Sequence, residues 1–313
     1  MPPPPSIIAS APGSLMLLGE HAVLHGHRAL VMAVDQRLRV ELTPRDDDRV
    51  EIVSALGRHA TTLHDCAPHP QFRFLLEAIR RHAARCPRGF TLRVESEFSH
   101  TIGFGSSAAV TVAGVAALRR HIGLPVDEPA IRDESIAIIR AVQGRGSGGD
   151  VAASTHGGVV VYRAEPREAE RLPVSLEGLA VYCGYKIPTP EVIRRVDEQW
   201  AGREPARDAL YERMDACVGD ALNALASGDI PRFGAVLNAG QALLEELGVN
   251  TPELAEIVTA LRGDPGIHGA KISGSGLGDC VFGLGRVTRP PSDYQPIPIR
   301  TAPQGLRFLT PRE

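Results

Sequence analysis

Gly103-Phe104-Gly105 runs straight into Ser106-Ser107-Ala108-Ala109 and a proline-free stretch of small and apolar residues that continues to Ile122. The sequence therefore predicts a glycine-rich turn that opens directly into a helix. Glycines permit positive φ and close backbone approach, the first N–H groups of a helix have no partner within it, and the helix dipole favours negative charge there. Phosphate is the natural tenant of such a place, and serine hydroxyls beside it can add hydrogen bonds or a Mg2+ ligand. The loop is not a Walker A loop, since no Gly-Lys-Ser/Thr follows, and not G-x-G-x-x-G, since Ala108 stands where the third glycine would be. Taken alone, the same residues also suit a plain capped helix.

They do not stand alone. Gln143-Gly144-Arg145-Gly146-Ser147-Gly148-Gly149-Asp150 forms a second glycine-rich loop, and Lys271-Ile272-Ser273-Gly274-Ser275-Gly276-Leu277-Gly278-Asp279-Cys280 a third, between two strand-like runs. So many glycines cost backbone entropy unless something uses them, although the third run also suits a hairpin turn. Nearer the start, Glu20 and His21 sit in a glycine-bounded loop, Gly19 to Gly26, as solvated loop residues or as substrate contacts.

Around these loops the pattern predicts strands at Ser6 to Ala11 and Ser14 to Leu18, separated by a turn at Ala11-Pro12-Gly13, then strands over Ala29 to Leu42, Val50 to Val53 and Phe90 to Ser96. Helical spacing predicts helices over Gln71 to Arg85 and Glu128 to Val142. A strand is expected at Gly157 to Tyr162. Beyond about residue 165 the pattern changes to helices, Pro190 to Trp200, Ala206 to Ala226, Pro231 to Leu247 and Pro252 to Leu261, closed by strands at Ala270 to Ser273 and Cys280 to Leu284. At 313 residues the chain exceeds one modal domain, and the division is expected at 1–165 and 166–313.

Composition removes several classes of function. With 34 basic and 37 acidic residues the net charge is −3, unlike the basic excess of a general nucleic-acid or membrane-surface binder. Five scattered cysteines without a C-x-x-C pair support neither a disulfide framework nor a zinc site. No apolar run reaches the length of a membrane span, and Met1 to Pro5 lacks the pattern of a secretion signal, so a cytoplasmic location is expected. All basic residues but Lys186 and Lys271 are arginine.

Ala11-Pro12-Gly13 with Gly19-Glu20-His21-Ala22-Val23, then Gly103-x-Gly105-Ser106-Ser107-Ala108-Ala109, then Lys271-Ile272-Ser273-Gly274-Ser275-Gly276 resemble the three ordered motifs of the GHMP kinases, most like those of the mevalonate kinases. The resemblance covers nearly the whole chain, including Asn238-x-x-Gln241 and Leu247-Gly248-Val249. It implies an α+β fold with an N-terminal left-handed βαβ domain and a C-terminal α/β sandwich domain. It also implies ATP- and Mg2+-dependent phosphorylation of a small alcohol in the cleft between them, with mevalonate as the first expected acceptor. Gly103, Gly105, Ser106, Ser107 and Ala108 would wrap the ATP phosphates, Ser107 would be the metal ligand, and Gly274, Ser275 and Gly276 would close over them. Glu20 and His21 would face the acceptor. Asp150 would take or orient the proton of the attacking hydroxyl; its plainer role is a helix N-cap. A homodimer is a candidate assembly.

Two departures from the mevalonate kinases bear on mechanism. Lysine is usual directly after Ala-Pro-Gly, and this chain has Ser14; only Lys186, otherwise an exposed loop residue, or Lys271 could supply an ammonium, and Lys186 is the better placed. The glutamate that helps hold Mg2+ falls at Ile139 when counted back from Asp150, with Glu134 as a weak substitute. The loop around Arg145 and the triplet Gly278-Asp279-Cys280 look more like phosphomevalonate kinases, in which case Arg145 would face a substrate phosphate. Phosphomevalonate kinase, a decarboxylase of the same superfamily and an ATP-binding protein without catalysis are the alternatives.

Overall fold

Two long strands organise the first half of the chain. β1 (Ile7–Leu18) and β2 (Arg28–Pro44) pair antiparallel from Ile7 opposite Leu42 to Leu18 opposite Leu30. The turn expected at Ala11-Pro12-Gly13 is instead a register shift between Pro12 and Gly13 inside one continuous strand. A bulge accommodates a proline that cannot donate to the ladder, and just beyond it the Ser14 N–H donates to the Phe104 carbonyl at 3.0 Å. That irregularity ties the first motif to the glycine turn at 103–105. The structure, a computed structural model, describes residues 6–99, 102–289 and 294–310; Met1 to Pro5 lie outside the described residues.

β3 (Arg49–Ser54) and β4 (Gly57–Thr62) form a hairpin, helix α1 (Arg73–His82) follows, and β5 (Phe90–Ser96) returns antiparallel to β2 and parallel to β3. Helices α2 (Ser106–His121), α3 (Glu128–Gln143) and α4 (Gly149–His156) come next. α2 packs against β1 and β2 on one side and against α1 and α3 on the other. A helix enclosed in this way has no use for a polar face, which accounts for its unbroken burial from Ala108 to Leu118 apart from Val110. β6 (Val159–Arg163) pairs with β2, and β7 (Glu168–Leu172) with β6. The expected division at residue 165 thus falls in the turn of a hairpin whose second strand still belongs to the first sheet.

The second sheet begins at β8 (Glu177–Tyr182). Four helices follow, α5 (Thr189–Gln199), α6 (Glu204–Ala226), α7 (Ile230–Leu247) and α8 (Pro252–Arg262), then β9 (Ile267–Ser273), β10 (Cys280–Gly285) and β11 (Pro296–Arg300) in the strand order β11-β8-β10-β9. Last, β12 (Arg307–Leu309) leaves this sheet and pairs antiparallel with β1, completing an eight-stranded first sheet. Among the described residues no helix is long and apolar enough to cross a membrane.

Candidate active site

Among the described residues five α-helices lack a side-chain N-cap, and the first turns of four of them, α1, α2, α4 and α5, place Arg73, Ser106, Asp150 and Thr189 on one cleft. Helices α3, α7 and α8 start elsewhere and are capped by Asp127, Asp229 and Thr251. The first turns of these helices therefore border one cavity of about 620 Å3, with N–H groups that the N-cap side chains leave unclaimed, although the Gly149 N–H of α4 already donates to the Ser147 hydroxyl at 3.2 Å. The arrangement suits an anion.

The start of α2 is built tightly. Gly105, its N-cap, has φ 61°, and a Cβ there would lie 2.1 Å from the Ser14 Oγ. At Gly103 a Cβ would lie 2.2 to 2.4 Å from the carboxylate atoms of Asp279. Gly103, Gly105, Ser106, Ser107 and Ala108 all line the cleft. A second cavity, of about 760 Å3, shares Arg73, Ser106 and Ser107 with the first and is walled by Leu38, Phe72, Val94 and Phe98.

Asp150 stands in the first turn of α4, and its Oδ1 accepts from the Ser14 hydroxyl at 2.9 Å. The serine that replaces the expected lysine is thus a direct partner of the carboxylate. Burial pushes the Asp150 carboxyl above its ordinary range, and the neighbouring Asp279 charge adds to this; the Ser14 hydrogen bond and the Lys186 ammonium act the other way. Lys186 itself forms a 2.6 Å ion pair with Asp279 Oδ2. Burial opposes its charge, but the Asp279 and Asp150 carboxylates outweigh that and hold its pKa above the ordinary lysine value. Sequence reasoning placed Lys186 near the site and missed Asp279 as its partner, although the triplet Gly278-Asp279-Cys280 stood out.

The third glycine loop is pinned from outside the cleft. On α7, Asn238 and Gln241, one turn apart on the same face, accept the N–H groups of Ala270 and Ile272 at 3.0 and 2.9 Å and fix β9. Leu277 N–H donates to the Val249 carbonyl at 2.7 Å and Asp279 N–H to the Tyr185 carbonyl at 2.8 Å. Gly274 and Ser275 line the cleft; Gly276 packs against Val249 and is outside the lining.

Glu20 and His21 reach the cleft wall, each already engaged. The Glu20 carboxylate pairs with the Lys271 ammonium, both buried, joining the first motif to the third. Burial drives both toward their neutral forms, raising Glu20 and lowering Lys271, against their mutual attraction. His21 Nε2 lies 2.8 Å from the Ser275 carbonyl, so that nitrogen carries the proton and donates; burial lowers its pKa and favours the neutral ring. Arg145 sits at the rim with its guanidinium 2.7 Å from Asp197 on α5. Ile139 does line the cleft, whereas Glu134 is turned away, bound by His82 and Arg119.

The chain is similar to known proteins in sequence and in fold. The GHMP kinases N-terminal domain matches residues 72–158 and the GHMP kinases C-terminal domain residues 221–293, and a galactokinase galactose-binding signature matches residues 2–44. The mevalonate kinase of Archaeoglobus fulgidus is 33% identical over 92% of this chain and 95% of its own length, and that of Aeropyrum pernix 32% identical over 88% and 87%. Among solved structures, Methanococcus jannaschii mevalonate kinase superimposes with a TM-score of 0.80 at 22% identity, covering 94% of this chain and 98% of its own. Lactococcus lactis galactokinase with galactose gives 0.84 at 17% identity, covering 97% and 95%. With two matched domains and full-length relatives above 30% identity, the chain belongs to the GHMP kinase family of ATP-dependent small-molecule kinases.

Proposed function

We propose that the chain transfers the γ-phosphoryl group of ATP to the hydroxyl of a small hydroxy acid, with mevalonate as the acceptor and phosphomevalonate as the product. The observation that carries this reading is that the Asp150 carboxylate, fixed on one oxygen by Ser14, opens on the same cavity as the uncapped N-terminus of α2. The relatives named as mevalonate kinases direct the choice of acceptor.

In this reading the free N–H groups from Gly105 onward hold the phosphates, and the apolar second cavity beside them takes the purine. Asp150 Oδ2, the oxygen that Ser14 leaves free, receives the acceptor's proton, and Lys186 supplies charge beside it in place of a lysine at position 14. His21 Nδ1 faces the acceptor as a hydrogen-bond acceptor, while Arg145 takes its carboxylate by exchanging Asp197 for it. Glu20 acts through Lys271 by fixing the third loop. The donors on the cleft floor are mainly hydroxyl and carboxylate oxygens, the set that a hard cation takes, so the site fits Mg2+ with Ser107 among the residues that would hold it. Bound there, Mg2+ would neutralise charge developing on the phosphates.

ADP release measured with Mg2+ and ATP across mevalonate, phosphomevalonate and galactose, with CO2 followed in parallel, tests the assignment. Release with mevalonate and without CO2 is expected. Release with none of the three would leave an ATP-binding protein, and CO2 would indicate the decarboxylase.

The pair Lys186 and Asp150 makes a pH prediction. A base must be ionised, so activity rises with pH through the Asp150 pKa, which burial has already moved upward. Lys186 opposes that move, and Lys186→Met is therefore expected to shift the acid limb of the kcat profile to higher pH. An unmoved limb in that variant would show that the ammonium does not act on Asp150.

A further inference from the structure

Asp279 is a carboxylate with one oxygen left over. Its Oδ2 holds Lys186 at 2.6 Å, while Oδ1 is the only buried carboxylate oxygen among the described residues with no hydrogen-bond partner. The residue is held in place by its backbone, with its N–H on the Tyr185 carbonyl and its carbonyl on the Cys183 N–H. It keeps a φ of 78°, a conformation that aspartate and asparagine tolerate better than most residues. Its carboxylate is pressed against Gly103, two residues before the N-cap of α2, so closely that no side chain could stand there. The Asp150 carboxylate, the Cys183 and Cys280 thiols and the Tyr182 hydroxyl are the other titratable groups acting on it.

A carboxylate in that position is electrostatically out of place beside a triphosphate. Like charges at short range in a part-buried site repel strongly, and one ammonium shared between Asp150 and Asp279 leaves the pair with net negative charge before any nucleotide arrives. A cation between Asp279 and the phosphates removes the conflict. The oxygen that has no partner lies on the loop that would carry those phosphates, and Ser107 lines the same cavity.

Resting on the kinase reading above, we propose that Asp279 is a protein ligand of the metal ion that accompanies the nucleotide: Oδ1 takes the ion while Oδ2 remains on Lys186. The third glycine loop then does more than close over the phosphates, because it brings the carboxylate of the metal site from the second sheet to the first. Magnesium commonly uses one or two carboxylates plus substrate phosphates and water, and neither Ile139 nor Glu134 can supply one here.

The test uses Mn2+ as the probe, titrated by electron paramagnetic resonance into the full-length protein saturated with a non-hydrolysable ATP analogue. Asp279→Asn keeps the shape and tolerates the positive φ, and Lys186→Met serves as its companion. Asp279→Asn is expected to weaken Mn2+ binding by at least about tenfold, in line with the loss of a metal-site group, and Lys186→Met to change it far less. With the metal chelated, the analogue should bind Asp279→Asn as well as the wild type or better, since a negative charge beside the phosphates is gone. Unchanged Mn2+ affinity in Asp279→Asn overturns the proposal. So does an equal loss in Lys186→Met, or a loss of analogue binding that is the same with and without metal. Wild-type protein that binds Mn2+ through Asp279 yet phosphorylates no acceptor would overturn the kinase reading and leave the metal site standing. Turnover together with an unaltered Mn2+ affinity in Asp279→Asn would do the reverse.

Discussion

Asp150→Asn is expected to lower kcat by about 10^2 to 10^4, the range for loss of a positioned proton acceptor, while ATP affinity stays within a few-fold of the wild type. Asparagine keeps the volume and can still accept the Ser14 hydroxyl that now reaches Oδ1, so the first turn of α4 should survive. What it cannot do is take a proton at neutral pH. Single-turnover rates, with nucleotide affinity measured separately by calorimetry, separate the two quantities. A kcat close to the wild-type value would remove Asp150 from the chemistry and return it to the plainer role of a residue at a helix start.

The second large effect is on stability. Lys271→Met would leave the Glu20 carboxylate in the interior without its ammonium, and breaking one side of a buried ion pair costs about 3–5 kcal/mol. Both groups are buried and belong to different sheets' margins, Glu20 beyond β1 and Lys271 on β9. The loss should therefore appear as a lower midpoint in urea unfolding followed by circular dichroism. Replacing both residues together, as Glu20→Leu with Lys271→Met, should recover most of the loss, because apolar pairs of similar volume often substitute for buried ions. If the double variant proves no better than Lys271→Met alone, the pair contributes more than charge compensation.

That pair also shows what the sequence could and could not reveal. The glycine turn before α2 was legible because its chemistry is local: positive φ, close approach and free N–H groups follow from residues next to one another. The helices over Ser106 to Ile122, Glu128 to Val142 and Pro231 to Leu247 were legible for the same reason, their spacing and the confinement of proline to the first turn. For Glu20 the sequence leaves a solvated loop residue and a substrate contact both open; it lines the cleft, but its partner Lys271 is 251 residues away, and nothing near either residue announces the other. Lys186 and Asp279 likewise meet only because β8 and β10 are neighbours in the second sheet.

Several strands escaped notice for a related reason. β11 reads Pro-Ile-Pro-Ile-Arg, a poor strand by propensity, but it lies at the edge of its sheet, where missing N–H donors face outward. β7 and β12 are short, and each is fixed by the strand it joins. Ala11-Pro12-Gly13 carried every mark of a turn, and the long pairing with β2 overrode it.

The late return of the chain to β1 orders the events of synthesis. Arg307 to Leu309 lie against Ser10 to Ile8, so the outer margin of the first sheet stays open while nearly three hundred further residues leave the ribosome. An unpaired strand edge is a template for foreign strands, and nascent chains with such edges are prone to associate wrongly. Until its last strand arrives, this protein has a sticky side.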